Sequence, residues 1–440
     1  MKRISRRKRL EELFNKYPDV PKEVIVKEDV LHDGLAFTTP ALEIGKGYRC
    51  KMYGGWLFTF DMATEDTKRE QKLFSVPDYI EIHGGLYNLR GRTRMRCRIN
   101  PDSQYIIDVA DGKPVLCERG VKEHIPIADL HEYRPIPKYF SKYFEDGTAY
   151  KDVCRADGFL VVFMMCQYWG PKQECKFCDM NENTRTARAR GDLSIKKPFK
   201  KVEHVATVVE EIFLKEKWAP YDRPVGVIIS GGSITTKLDG LRETDFYIRY
   251  VEAVRDKIGN RYPITLQSSP KPREEAKRLR AAGVDVHNPN IEVWDKRLFE
   301  IICPGKAKAV GWDSWHRLAA DEVDIFGEGN VAPGVVVGVE MAKPWGFTDI
   351  REAVKSTTEG FEFFMSRGAV PRPIDWIVEP GSMLAGQEAP PTEYFIEIDR
   401  NWFELLTKYH LPPYGGFSGR IIGPGLGEYA NNAALDMGYG

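Results

Sequence analysis

Three of the eight cysteines, Cys166, Cys175 and Cys178, fall within thirteen positions, in the stretch GFLVVFMMCQYWGPKQECKFCDM from Gly158 to Met180. Thiolates this close together in sequence point to a metal, because one ion or cluster needs several soft donors converging on one point. The apolar run Phe159 to Met165 reads as a buried strand, which places the thiols beyond its C-terminal end. Parallel α/β folds carry their active sites at such ends. An iron–sulfur cluster could take three thiolates and keep one iron open to a ligand. A structural zinc site would want a fourth ligand, for which Cys154 is the nearby candidate. Unliganded or redox thiols are the third reading. Phe177 and the pair Tyr168–Trp169 would shield a cluster from water.

The elements that must position these residues follow from periodicity. From Gly158 onward, strand-like runs at 159–165, 225–230, 262–268, 284–293, 332–339 and 371–379 alternate with helix patterns. The helix patterns lie at 202–217, 243–258, 272–282, 296–303 with 312–322, and 348–367. Short apolar strands each followed by an amphipathic helix predict a parallel sheet with helical crossovers, either open and doubly wound or curved like a barrel. Residues 1–150 read as an N-terminal α+β or β-rich accessory region, residues 151–390 as the α/β unit, and 391–440 as a helix with a Gly/aromatic-rich tail. Within the first region Glu23 to Lys27 reads as a short β-like run. Hairpins are expected around Gly84–Gly85 and Asp111–Gly112, and Ile125 to Tyr150 as a connecting arm. Gly54, Gly55, Trp56, Phe58 and Phe60 mark an aromatic, glycine-punctuated stretch. The tail, with Tyr414, Phe417, Ile421 and Ile422, is expected to pack against the first region.

Composition bounds the function classes. The 440 residues are 42% apolar and 29% charged, and 64 Lys plus Arg balance 64 Asp plus Glu. A zero net charge gives no general drive toward nucleic acid or an anionic membrane, so neither is an expected partner. Six of the first ten residues are Lys or Arg, which reads as the solvated face of a charged leading helix. No apolar run approaches the ~20 residues needed to span a bilayer, and no apolar core follows the N-terminal charges. Five scattered cysteines (Cys50, Cys97, Cys117, Cys154, Cys303) beside three clustered ones suit a reducing, cytoplasmic compartment rather than a disulfide framework.

The cysteine loop resembles that of the radical S-adenosylmethionine (radical SAM) superfamily, whose usual signature is C-x3-C-x2-C after the first strand of a partial (β/α)6 TIM-like barrel. Here the second spacing matches and the first is eight residues rather than three. Further stretches match in order. Ser230-Gly231-Gly232-Ser233 resembles the motif whose backbone meets the methionine amino group of SAM, with Ser233 where Glu is common. Gln267 and Ser268 resemble positions that face the SAM ribose or substrate. The stretch HNPNIEVWDKRLFEIICPGK resembles the biotin synthase-like branch, in which Glu292 matches an acid facing SAM or substrate. Gly334 to Glu340 resembles a strand lying against adenine, which carries over Val336 and Gly338 as cofactor contacts. RPIDWIVEPGSMLAG, with Arg372 and Glu379, resembles the same branch's closing strand.

The resemblance implies an enzyme in which Cys166, Cys175 and Cys178 hold a [4Fe–4S] cluster. The cluster cleaves SAM to a 5′-deoxyadenosyl radical that abstracts hydrogen from a small-molecule substrate. It implies a one-electron donor such as flavodoxin or ferredoxin. Phe177, Ser230, Gly231, Gly232, Ser233, Gln267, Ser268, Val336 and Gly338 are the expected cofactor contacts, and Glu292, Glu340 and Arg372 the expected catalytic groups. His287, Asn290 and Glu379 are further substrate-side candidates. Two other readings stay open: radical modification of a peptide, protein or RNA, and a zinc-stabilised α/β binding protein without radical chemistry.

Overall fold

Six runs of four or five residues, most of them buried on both faces, form parallel strands, as continuous apolar runs between helical layers should. The computed structural model describes residues 5–51, 71, 73–131, 133–154, 158–189, 198–218 and 224–412. Its strands are β1 (Ala36–Phe37), β2 (Tyr79–Gly84), β3 (Leu89–Arg96), β4 (Tyr105–Ala110), β5 (Lys113–Glu118), β6 (Ile125–Leu130), β7 (Phe159–Phe163), β8 (Val227–Gly231), β9 (Ile264–Ser268), β10 (Val286–Pro289), β11 (Gly334–Val337) and β12 (Arg372–Asp375). Strands β7 to β10 pair in chain order, and β11 pairs with β12, all in parallel. The two ladders are joined beyond β10, where the Ile291 N–H donates to the Gly334 carbonyl (2.9 Å) and the Val336 N–H to the Glu292 carbonyl (2.8 Å). Among the described residues no ladder joins β12 back to β7, so the six strands do not close.

The crossover helices carry the charges their dipoles favour. Glu243–Ile258 opens with Glu243 and Asp245, closes with Arg255 and Lys257, and stops at Gly259 in the left-handed region (φ 58°). Arg273–Ala282 follows the same rule with Glu274, Glu275 and Arg280. The helix pattern read over 202–217 is α-helical only to Glu210 and finishes as a π turn, Glu211–Lys215.

The first region is a six-stranded sheet in the order β1-β4-β5-β6-β2-β3, antiparallel except for β1 with β4. Both expected hairpins are present; Asp111 (φ 49°) and Gly112 (φ 75°) make the two-residue turn between β4 and β5. Two expectations fail. The β-like run Glu23–Lys27 lies inside a helix, Lys22–Asp33, in which every residue from Glu23 to Leu31 is buried. Its β-branched run has strand propensity, but burial between β3 and the C-terminal helix overrides it. The supposed arm begins with a strand, β6, in the interior of the sheet; its Pro126 sits where the register with β5 shifts, the kind of irregularity that tolerates a proline.

Two principal cores result. One runs from Leu10 to Tyr133 and takes in Ile396; the other runs from Tyr139 to Leu411. The C-terminal helix Thr392–Lys408 therefore bridges them, with Tyr394, Phe395, Ile398 and Trp402 in the second core. The leading helix Arg6–Lys16 is not a solvated basic face. Arg6 reaches Asp29 and Asp33, Arg7 pairs with Glu118 (2.8 Å) and Arg9 with Glu393 (2.5 Å). The aromatic stretch at 53–60 and the tail from 413 lie outside the described residues.

Candidate functional site

All six parallel strands end at one cavity of about 220 Å3. Phe159 and Val161 of β7, Ser230 and Gly231 of β8, Gln267 and Ser268 of β9, Asn290 and Glu292 after β10, Val336 of β11 and Ile374 and Asp375 of β12 all line it. Cys166, Cys175, Phe177 and Cys178 form the wall beyond β7. Twelve of the fifteen expected cluster, cofactor and catalytic residues meet here, with Asn290 and Glu379 of the three further candidates; Gly338, Glu340, Arg372 and His287 are not among the lining residues.

The wide cysteine loop is tightly built. Gly170, in the left-handed region (φ 91°), turns the chain so that its carbonyl accepts the Gln173 and Glu174 N–H groups. The Glu174 carboxylate takes the Gly170 N–H (2.7 Å) and pairs with Arg185 (2.9 Å), whose guanidinium lies over Trp169. Asn181 accepts the Cys166 N–H (2.9 Å) and donates to the Tyr168 carbonyl (3.0 Å). Gln167 takes both the Thr235 and Thr236 N–H groups (2.8 and 2.9 Å), fastening the loop to the segment after β8. The eight-residue spacer is thus a folded turn held at three points.

Gly232 explains part of the Gly-Gly pair without any ligand. A Cβ there would stand 1.9 Å from the Met165 carbonyl oxygen and 2.6 Å from the Cys166 Cα. The glycine lets the end of β8 lie against the cysteine loop, so the motif first serves backbone packing.

Burial pushes the Cys166 thiol up to about 11, and the neighbouring Cys175 adds to it; burial and then Asp179 hold Cys178 well above the usual thiol range. A metal would have to displace those protons. Lys306 supplies the compensating charge. Burial pulls its ammonium down, but Glu292, Cys175 and Cys303 outweigh that effect and keep it protonated. Its Nζ lies 2.5 Å from Glu292 Oε1 and over the Trp315 ring. Glu292 itself has φ 65°, an unfavourable backbone for a non-glycine residue, fixed by its bonds to Gly334 and Val336. Among the described residues no three His, Cys, Asp or Glu side chains are gathered as one metal ion requires. Three thiols stand on one wall of the cavity, near the Lys306 cation. Cys154 cannot join them as a fourth ligand. It precedes β7, accepting the Gly158 N–H, and five strand residues at ~3.3 Å each separate it from the loop at the other end.

Three expected site residues have other partners. Glu340, fully buried, accepts from Thr357 (2.6 Å), the Gly338 N–H (2.8 Å) and the Tyr394 hydroxyl, tying the end of β11 to two helices. Gly338 (φ 97°) is the turn that allows this, and also donates to the Tyr394 hydroxyl. Arg372 lies one layer below the cavity, where its Nη1 donates to Asn288 Oδ1 (2.6 Å), which also takes Gln267 Nε2 (3.1 Å).

Sequence reasoning missed Lys306, Trp315, Asp375 and Arg96, all in the cavity wall. Arg96 comes from edge strand β3 of the other sheet, so no local pattern could place it here. Asp375 faces Glu28 of the buried helix Lys22–Asp33. Burial, then Asp375 and Asp399, hold Glu28 well above the carboxyl range, and burial raises Asp375 to about 7. Two buried carboxyl groups so placed keep a proton between them.

No family model matches the chain. It is 22% identical over 251 residues to the bacteriochlorophyllide c C-7(1)-hydroxylase of Chlorobaculum limnaeum, covering 53% of this chain and 58% of the hydroxylase. Its fold resembles HydG, a maturase of the [FeFe]-hydrogenase, with a TM-score of 0.40 and 14% identity over 57% of this chain and 49% of HydG. It also resembles coproporphyrinogen III oxidase (HemN) from Escherichia coli, a radical SAM enzyme, with a TM-score of 0.34 and 10% identity over 62% of this chain and 58% of HemN. The chain thus spans between 49% and 58% of the length of these proteins.

Proposed function

We propose that this chain is a cytoplasmic radical SAM enzyme acting on a small molecule, a cofactor or metabolite precursor. Cys166, Cys175 and Cys178 would hold a [4Fe–4S] cluster, and a carrier such as flavodoxin or ferredoxin would deliver one electron. The observation that supports this most is the convergence of three thiols and six strand ends on one cavity. Six parallel strands whose first and last members line the same space suit a partial (β/α)6 barrel of residues 151–390, with residues 1–150 as an accessory region and 391–440 as a C-terminal one. Cluster and SAM together would supply a 5′-deoxyadenosyl radical that removes a hydrogen atom from the substrate.

The chain's own residues do the rest. Gln167 and Asn181 hold the cysteine loop in place before any ligand arrives. The Gly231–Gly232 backbone and Ser230 and Ser233 offer polar groups at the end of β8 for the methionine part of SAM, and Val336 offers an apolar surface for adenine. Lys306 balances negative charge beside the thiols and fixes Glu292 at the rim. Phe177, Trp315, Trp376 and Ile377 exclude water from the cavity. A cavity of about 220 Å3, with Arg96 contributed from the accessory sheet, suits a small molecule better than a polymer.

Anaerobic reconstitution with iron and sulfide tests the assignment. The expected product binds about four irons and absorbs near ~400 nm. A colourless protein that keeps stoichiometric zinc under the same treatment would falsify it.

A further inference from the structure

Ser268 stands at the cavity rim at the end of a buried chain of hydrogen bonds that the cofactor assignments leave without a role. Its Oγ lies 2.9 Å from His287 Nε2, and His287 Nδ1 lies 2.5 Å from Glu322 Oε2. His287 is wholly buried and Glu322 1% exposed. The other Glu322 oxygen accepts the Lys271 N–H (2.6 Å), so the carboxylate is fixed as an acceptor. With the carboxylate accepting from Nδ1–H, the Nε2 lone pair faces the Ser268 hydroxyl, which also lies within reach of the Ser269 carbonyl (3.3 Å). Register explains the placement. His287 pairs with Leu266 and Asn288 with Gln267, so Ser268 and His287 share the face of the sheet opposite to Gln267 and Asn288. The chain therefore leads from the rim into the helical layer, where Phe326 stacks on the imidazole. A buried carboxylate hydrogen-bonded to a buried imidazole is a costly way to fasten a strand to a helix when apolar contacts would serve.

We propose that Ser268 is a catalytic base of this cavity, with His287 and Glu322 as its positioning residues. Its oxygen takes a proton from a substrate O–H or N–H while its own proton passes to His287 Nε2; the imidazolium is held by Glu322, and no electrons move in this step. The inference rests on the radical reading for its substrate class: a molecule bearing a hydroxyl or amine on the reacting carbon. Loss of a hydrogen atom acidifies such a group and creates the need for a base.

The test needs neither cluster nor SAM. In the apo-protein, Ser268→Cys puts a thiol beside the imidazole, and its alkylation by iodoacetamide at pH 7 is followed by peptide mass spectrometry. An ordinary thiol is only a few per cent ionised at that pH, so pairing with His287 should speed alkylation by about tenfold or more over Ser268→Cys/His287→Gln. Ser268→Cys/Glu322→Gln should also be slower, and it decides the matter if the His287 variant does not fold. Rates equal within about twofold among the folded proteins overturn the relay. A slow thiol in a protein whose wild type cleaves SAM removes the base and keeps the radical reading; a fast thiol where wild type leaves SAM intact does the reverse.

Discussion

The six-stranded first sheet and the two parallel ladders β7–β10 and β11–β12 place their strand ends in opposite ways. In the first sheet nearly every neighbour is antiparallel, so the C-terminal ends alternate between two rims and no rim gathers them. Strands β7 to β12 all run one way, and residues from all six ends share one cavity. The first sheet contributes Arg96 from its edge strand and, through the helix packed on it, Glu28 opposite Asp375. Parallel topology concentrates chemistry at one rim, whereas the antiparallel sheet covers and tunes it.

The sharpest way to break this contrast is at the thiols. Cys175→Ala should reduce reconstituted iron to near background, measured per folded chain. An intact cluster in that variant would reject the ligand set. Next comes Gly232→Ala, whose methyl group would meet the Met165 carbonyl. Overpacking of this kind costs about 1–3 kcal/mol or more, so the denaturant midpoint should fall and cluster retention with it. A variant as stable as wild type would mean that β8 and the cysteine loop are not in such close contact.

Glu340→Gln separates support from chemistry. Disturbing its bonds to Thr357, Gly338 and Tyr394 should cost about 1–3 kcal/mol, while the folded fraction still cleaves SAM at the wild-type rate. Loss of SAM cleavage at unchanged stability would restore Glu340 to the active site.

A pH-dependent effect lies where the two regions meet. Asp375, raised by burial to about 7, keeps in the native state a proton that an unfolded aspartate releases from about pH 4 upward. Apo-protein stability should therefore fall as pH rises from about 4 to about 7, by up to roughly 1.4 kcal/mol per pH unit, and Asp375→Asn should flatten that slope. An unchanged slope in the variant would place the proton elsewhere.

These contrasts also explain what the sequence made legible. Strands β7 to β12 and their helices were readable because each is a local apolar run with a local helix after it, and Glu243–Ile258 fell where its end charges put it. The cavity-lining residues were readable because strand ends recur in chain order. Helix Lys22–Asp33 was not, since its burial on all sides comes from two distant elements and leaves no helical periodicity. Lys306, Glu322 and Arg96 reach their partners only through tertiary packing, and Glu340 looked catalytic because its three hydrogen bonds cannot be seen in one dimension.

Under the proposed function, the thiol loop and the strand-end rim together form one SAM-cleaving site. Wild-type protein and Cys175→Ala, each reconstituted without oxygen and given SAM with dithionite, test it by the 5′-deoxyadenosine formed. The account predicts 5′-deoxyadenosine and methionine in equal amounts from wild type and none above background from Cys175→Ala. Intact SAM in a wild-type protein that carries its full iron would contradict it.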